Sequence, residues 1–157
     1  MSKTIKVALA GAGAFGTKHL DGIKNIDGVE VVSLVGRRLD ATKEVADKYG
    51  IAHVSTELAD SLKIPDVDAV ILCTPTQMHA EQSIACLKAG KHVQVEIPMS
   101  DNLADAEKVL ALQQETGLIA RGAMDDVNGG KAPTMRHRFY HVPASNTAVG
   151  HMILENN

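Results

Sequence analysis

Short runs rich in apolar and β-branched residues alternate with helix-type patterns up to about residue 122. Such runs predict strands, and the spacing of apolar positions between them predicts amphipathic helices. The predicted strands cover residues 5–10, 29–36, 51–54, 67–74, 91–96 and 118–121. The predicted helices cover residues 14–25, 40–49, 57–63, 77–89 and 101–116.

The helix patterns also predict inward faces and end signals. The predicted inward side chains are Phe15, Leu20 and Ile23 in the first helix, Ala80, Ile84 and Leu87 in the fourth, and Leu103, Ala106 and Leu110 in the fifth. Ser100 is a candidate N-cap for the last helix. Gly50, Gly90 and Gly117 stand where glycine commonly ends a helix.

Strands that alternate with helices through short connections predict right-handed βαβ crossovers and a parallel sheet covered on both faces. Six strands of this kind predict an α/β fold, a doubly wound Rossmann sheet for binding a nucleotide. This domain is expected over residues 1–122. Residues 123–157 are expected to form a short tail, whose two β-type runs at 134–142 and 147–154 suggest a hairpin or an interface segment.

The stretch "GAGAFG", Gly11 to Gly16, follows the first predicted strand and opens the first predicted helix. This is the setting in which G-x-G-x-x-G predicts dinucleotide binding. Gly11 would allow the tight turn, Gly13 would let a pyrophosphate approach the backbone, and Gly16 would let helix and strand pack closely. Ala14 and Phe15 complete the predicted cofactor-binding turn. The alternative is a glycine-rich turn that binds no ligand.

The end of the second strand indicates which dinucleotide is bound. NAD-preferring proteins usually carry an acidic residue there, but this chain has Gly36-Arg37-Arg38 and no carboxylate until Asp40. Two guanidinium groups suit a 2′-phosphate. We therefore expect Arg37 and Arg38 to favour NADP, with NAD still possible. The alternative is a pair of solvated arginines at a helix start.

Two further loops follow strands four and five, at the edge where ligands of such sheets bind. Thr74, Pro75 and His79 belong to the first loop and its helix, and Glu96 and Pro98 to the second. Pro75 and Pro98 stiffen these loops and could form walls against a flat cofactor ring. A histidine at this edge can hydrogen-bond a ligand or transfer a proton. His79 is thus a weak catalytic candidate, and an ordinary helix-face histidine is an equal alternative, so the catalytic residues stay unknown.

The segments "VALAGAGAFGTKHL" and "TPTQMHAEQSIACLKAGKHVQVEIP" resemble the Gfo/Idh/MocA oxidoreductases, the glucose–fructose oxidoreductase and inositol dehydrogenase family. The resemblance covers about residues 4–122, and it implies that the cofactor is bordered by Thr74, Pro75, His79, Glu96 and Pro98. It implies NAD(P)-dependent hydride transfer at a carbinol, hemiacetal or aldehyde-type carbon of a small molecule, such as a semialdehyde from aromatic breakdown. Many members carry Glu-Lys-Pro, whose lysine assists proton transfer, whereas this chain has Glu96-Ile97-Pro98.

The composition of the chain indicates which partners and which cellular location to expect. A net charge of −3 gives no electrostatic reason to expect nucleic acid as a partner, and no apolar run has the ~20 residues of a membrane-spanning helix. Two cysteines in 157 residues suggest reduced thiols and a cytoplasmic setting. Residues 123–157 suggest a homo-oligomer, and strand addition across a dimer is the hypothesis for how it forms. We predict no metal site, and surface or interface positions are expected for His137, His141 and His151.

Two functions remain open from the sequence. The set of predicted cofactor loops favours an NADP-linked oxidoreductase. The absence of a pattern for the large substrate domain that follows in this family, together with Ile97, favours a nucleotide-binding module without catalysis.

Overall fold

A computed structural model describes residues 4–122. Six strands and five helices alternate along this part of the chain. The strands are β1 (Ile5–Ala10), β2 (Val29–Val35), β3 (His53–Ser55), β4 (Ala69–Leu72), β5 (His92–Val95) and β6 (Ala120–Gly122). The helices are α1 (Ala14–Ile23), α2 (Leu39–Tyr49), α3 (Leu58–Leu62), α4 (Thr76–Lys88) and α5 (Leu103–Thr116).

The six strands form one parallel sheet in the order β3-β2-β1-β4-β5-β6. The predicted α/β doubly wound Rossmann sheet is therefore confirmed. The chain moves outward from β1 to β3 on one side and from β4 to β6 on the other. The strand order thus reverses between β1 and β4, and ligands of such folds bind at the carboxyl ends of the strands beside this reversal.

Apolar side chains cover the middle of the sheet on both faces, because residues alternate between faces along a strand. Ile5, Val7 and Leu9 of β1 belong to the core cluster packed with α1 and α2. Ala8 and Ala10 belong to the opposite cluster, which includes buried residues of α4 and α5. This double burial explains the near-continuous apolar runs of β1 and β4.

The structure contradicts the predicted inward position of three side chains and the predicted N-cap of one helix. Phe15 is 51% exposed, Leu103 75% and Leu110 51%, so none of them faces the core. The N-cap of α5 is Asn102, whose side chain accepts a hydrogen bond from the Asp105 amide at 2.9 Å. Ser100 instead hydrogen-bonds the Asn102 backbone through its hydroxyl, so it shapes the turn before the helix.

Several predictions fall on residues 123–157, which lie outside the described residues. They concern the tail boundary, its two β-type runs, its histidines and a homo-oligomer through the tail. Size-exclusion chromatography at two protein concentrations tests the last of these, and a monomer at both concentrations would reject it. Among residues 4–122, no helix is long and apolar enough to cross a membrane.

Candidate nucleotide-binding site

The glycine turn between β1 and α1 is held closely against β4. Gly11 has φ +109°, a conformation that side-chain-bearing residues rarely adopt, and a Cβ there would collide with the Cys73 carbonyl. A Cβ at Gly16 would collide with the Gly11 carbonyl oxygen and lie 3.1 Å from Leu9 Cδ2. A Cβ at Gly13 would meet no atom within 4 Å. Two of the glycines are thus needed for packing, whereas the space beside Gly13 is open to a ligand.

The N-terminus of α1 opens at the same place. Gly13 is its N-cap and supplies no side-chain hydrogen bond, and the first turn carries no acidic residue. The first amide groups of a helix have no acceptor within the helix, and the helix dipole adds positive potential there. An anion such as a phosphate group is therefore favoured beside Gly13.

Arg37 and Arg38 stand at the carboxyl end of β2, next to this turn. The Gly11 amide donates to the Val35 carbonyl at 2.8 Å, which joins the glycine turn to the end of β2. Gly36 is buried. A Cβ at this position would collide with Thr42 Oγ1 and lie 3.1 Å from Ala12 Cβ, so the backbone between β2 and the arginines is closely packed. Both arginines are exposed, and Arg38 is the N-cap of α2. Two cationic side chains therefore project from a fixed backbone toward solvent.

His79 joins the loops that follow β4 and β5. It is only 1% exposed, and its Nδ1 lies 2.8 Å from the Pro98 carbonyl oxygen while its Nε2 lies 2.7 Å from the Thr74 carbonyl oxygen. Both ring nitrogens are thus engaged by backbone, and the ring is shielded from solvent. This geometry gives His79 a structural place between the loops rather than a position from which it transfers a proton to a substrate.

Thr74, Pro75, Glu96 and Pro98 lie in the loops that His79 connects. Pro75 is exposed and is the N-cap of α4, while the Thr74 hydroxyl donates to Gln82 Oε1 at 2.5 Å. The Glu96 amide donates to the Leu72 carbonyl at 2.9 Å, which keeps the start of the second loop beside the end of β4. The two loops therefore lie side by side at the carboxyl edge.

Large apolar side chains are exposed after each of three central strands. Phe15 follows β1, Met78 follows β4 and Ile97 follows β5, with exposures of 51%, 44% and 50%. Since the carboxyl ends of neighbouring parallel strands meet at one edge, all three residues lie at that edge of the sheet. An apolar border of this kind suits the faces of a flat ring.

The structure brings most of the predicted site residues to one edge. Gly11, Gly13, Ala14, Phe15 and Gly16 form the first crossover, and the other predicted residues follow the neighbouring strands β2, β4 and β5. His19 and Cys73 are residues that the sequence analysis did not assign to the site. His19 is fully buried in α1, and its Nε2 lies 2.5 Å from Glu96 Oε1. Burial at Gly16, His19, Leu20 and Ile23 follows helical spacing, and this spacing is the signal from which His19 could have been predicted to face inward.

Comparison with known proteins identifies the family to which the chain belongs. Residues 5–122 match the oxidoreductase family Gfo/Idh/MocA, described as having an NAD-binding Rossmann fold. The chain belongs to this family. The resemblance identified from the glycine turn and the two loop segments is therefore confirmed, and so is the prediction of a nicotinamide dinucleotide cofactor.

Individual relatives from this family match the same part of the chain. The 4-carboxy-2-hydroxymuconate-6-semialdehyde dehydrogenase of Sphingobium sp. is 65% identical over 115 residues, which are 73% of this chain and 36% of that protein. The myo-inositol 2-dehydrogenase of Thermotoga maritima is 33% identical over 115 residues, 73% of this chain and 34% of that protein. The chain thus spans about a third of the length of these relatives.

A solved structure of the same fold contains a bound cofactor. The 3-ketoreductase KijD10 of Actinomadura kijaniata, in complex with TDP-benzene and NADP, superimposes with a TM-score of 0.72 at 30% identity. The match covers 77% of this chain and 38% of that one. The family match and the fold therefore both indicate a Rossmann domain of an oxidoreductase family, of the kind that binds NAD or NADP.

Proposed function

We propose that the chain is the cofactor-binding part of an NADP-linked dehydrogenase that exchanges a hydride with a hemiacetal or aldehyde-type carbon. The observation that carries this proposal is the glycine turn, where Gly11 and Gly16 are packed without room for a side chain and Gly13 is open. A turn that bound nothing would not need open space and uncapped amides at the same point. The identity of 65% to a semialdehyde dehydrogenase supports the reaction type.

The pyrophosphate is assigned to the N-terminus of α1. Amide groups after Gly13 would donate to its oxygens, and the helix dipole would add to the attraction. Ala14 and Phe15 are both exposed beside this position. Because no side chain caps α1, bound phosphate would satisfy amides that otherwise depend on water.

The 2′-phosphate is assigned to Arg37 and Arg38. Guanidinium groups bind phosphate through paired, charge-assisted hydrogen bonds, each contributing about 1.5–3 kcal/mol. Their exposure reduces that figure, because water and salt screen charges at a surface. We therefore expect each arginine to favour NADP over NAD by a factor on the order of 10.

The nicotinamide ring is assigned to the region bordered by Phe15, Met78 and Ile97. Pro75 and Pro98 fix the two loops beside it, and His79 holds these loops together. Ile97 has no proton to exchange, so a lysine-assisted proton transfer at this position is not available to this chain. When bound, the cofactor supplies hydride transfer, and the groups described here bind and orient it.

The cofactor assignment is tested by titrating the protein with NADPH and with NADH and following nicotinamide fluorescence. Arg37→Asp should weaken NADPH binding by about 10- to 100-fold and change NADH binding little. Lys48→Asp makes the same charge change at the opposite end of α2 and is the matched control. Equal effects of Arg37→Asp on both nucleotides would reject the 2′-phosphate assignment.

A second candidate function is a nucleotide-binding module without turnover. Ile97 favours it, because isoleucine has no proton to exchange at a position where many family members carry lysine. Reaction of the protein with NADP and a hemiacetal-forming aromatic semialdehyde separates the two candidates. Formation of NADPH supports the dehydrogenase, whereas tight NADPH binding without turnover supports the module.

A further inference from the structure

Three side chains with different metal-binding atoms meet under the carboxyl edge of the sheet. His19 comes from α1, Cys73 follows β4 and Glu96 follows β5. One ligand atom from each lies within 4.8 Å of the other two. The three elements are far apart in sequence, so the fold itself brings these side chains together.

The donor set is the one that zinc uses in proteins. Imidazole nitrogen, thiolate sulfur and carboxylate oxygen bind Zn²⁺ at about 2.0–2.3 Å, usually in a tetrahedron. Ligand atoms of such a tetrahedron lie roughly 3–4 Å apart, so side-chain adjustments of an ångström or so would suffice. Three protein ligands would leave the fourth position for water or an anion.

The backbone that carries these ligands is well fixed. The Cys73 amide donates to the Ala10 carbonyl at 2.7 Å, and the Cys73 carbonyl packs directly against Gly11. The Glu96 amide donates to Leu72, and His19 is fully buried. Cys73 is half-buried, and Glu96 keeps 15% of its side chain exposed, which provides access from solvent. A cluster held in this way loses little further freedom when it binds an ion.

We propose that His19, Cys73 and Glu96 form a binding site for a thiophilic divalent cation of the Zn²⁺ class. The cation would bind His19 Nε2, Cys73 Sγ and Glu96 Oε1 and replace the direct hydrogen bond between the histidine and the carboxylate. The Cys73 thiol would lose its proton to solvent on binding, as thiol ligands do. The sequence analysis predicted no metal site, because these residues lie far apart in the sequence and follow no metal-binding motif.

Cobalt titration of the full chain tests the proposal, because a cobalt–thiolate bond absorbs in the near ultraviolet and tetrahedral cobalt has characteristic visible bands. Both signals should appear in the wild type and in Cys86→Ala, the matched control that removes the other thiol. Cys73→Ser should abolish the thiolate band. His19→Gln and Glu96→Gln should each weaken cobalt binding by about 10-fold or more. Histidines outside the cluster cannot produce the thiolate band, so cobalt bound to them would not be mistaken for this site.

A second measurement uses the wild type alone, in case a variant of buried His19 does not fold. Zn²⁺ should slow alkylation of Cys73, read at the modified peptide by mass spectrometry, and removal of Zn²⁺ by a chelator should restore the rate. The proposal is overturned if the folded wild type gives no thiolate band, or if the band survives in Cys73→Ser. Alkylation of Cys73 at an unchanged rate with Zn²⁺ would overturn it as well.

Discussion

Gly13→Ala and Gly16→Ala change the same turn, but we expect different losses from them. Gly16→Ala should lower the stability of the fold, whereas Gly13→Ala should weaken NADPH binding. A Cβ at residue 16 would collide with the Gly11 carbonyl oxygen and stand 3.0 Å from the Gly11 carbonyl carbon and 3.1 Å from Leu9 Cδ2. The colliding group is backbone, which cannot swing aside as the end of a flexible side chain can. Helix α1 would therefore have to move away from β1.

The cost of this movement is that of an overpacked core, about 1–3 kcal/mol and more where backbone must shift. For a chain of 157 residues, each kcal/mol lowers Tm by roughly 3 °C, so Gly16→Ala should lower Tm by roughly 3–9 °C, and by more where the backbone must shift. Gly13 has φ −80°, which alanine also adopts, and its Cβ would meet nothing within 4 Å. Because alanine is a poorer N-cap than glycine, Gly13→Ala should still change the free energy of unfolding, but by less than about 1 kcal/mol.

The same two variants should separate binding from stability. In Gly13→Ala the added methyl group would occupy the space assigned to the pyrophosphate, and NADPH affinity should fall about 10-fold or more. Thermal denaturation without ligand and NADPH fluorescence titration measure the two effects. A Gly13→Ala protein that is as destabilised as Gly16→Ala, or that binds NADPH like the wild type, would refute this division of roles.

Three other predictions concern buried or half-buried groups of the described residues. His79→Leu removes both contacts of the ring nitrogens with backbone carbonyls, so it should cost about 1–3 kcal/mol and lower Tm by roughly 3–9 °C in a thermal melt. Burial raises the pKa of the Cys86 thiol to about 12, so at pH 8 a thiol reagent should not label Cys86 until the protein is unfolded. Burial lowers the pKa of His92 below its ordinary 6.5, and its Nδ1 accepts from the Ile119 amide at 3.1 Å. Its contribution to stability should be complete above pH 6.5 and decrease as pH falls below that value, which melts at pH 7.5 and pH 5.5 would detect.

Each of these predictions has its own control. Labelling of Cys86 in the native state at the rate found in urea would contradict its burial. His92→Asn should show a smaller loss of Tm between pH 7.5 and pH 5.5 than the wild type, and an equal loss would exclude His92 as a source of the pH dependence. An unchanged Tm in His79→Leu would show that the two carbonyl contacts contribute nothing.

The fold was predicted correctly where the local pattern of apolar residues and the packing of the whole sheet favour the same structure. The run at residues 5–10 is apolar on both faces because β1 is central in the sheet, and the glycines that follow it identify the first crossover. The phase of α5 was predicted wrongly, because Leu103 and Leu110 form an apparent apolar stripe with Ala106. The observed buried side combines Ala106 with Val109 and Leu112, so packing against the sheet, rather than residue type alone, selects the face.

The candidate site was predictable only in part, for a physical reason. Gly13, Arg37 and Thr74 could be placed because each follows a strand, and strand ends share one edge. His19 could not be connected with Glu96 from the sequence, because their contact depends on how α1 crosses the sheet. The role of His79 could not be predicted from the sequence either, because both ring nitrogens contact backbone carbonyls, which every residue has.

The most direct test of the nucleotide site is a crystal structure of the chain grown with NADP. We predict pyrophosphate oxygens within hydrogen-bond distance of the amides at the N-terminus of α1, next to Gly13, and a 2′-phosphate against Arg37 or Arg38. NADP bound at another surface, or a side chain filling the space beside Gly13, would contradict the account.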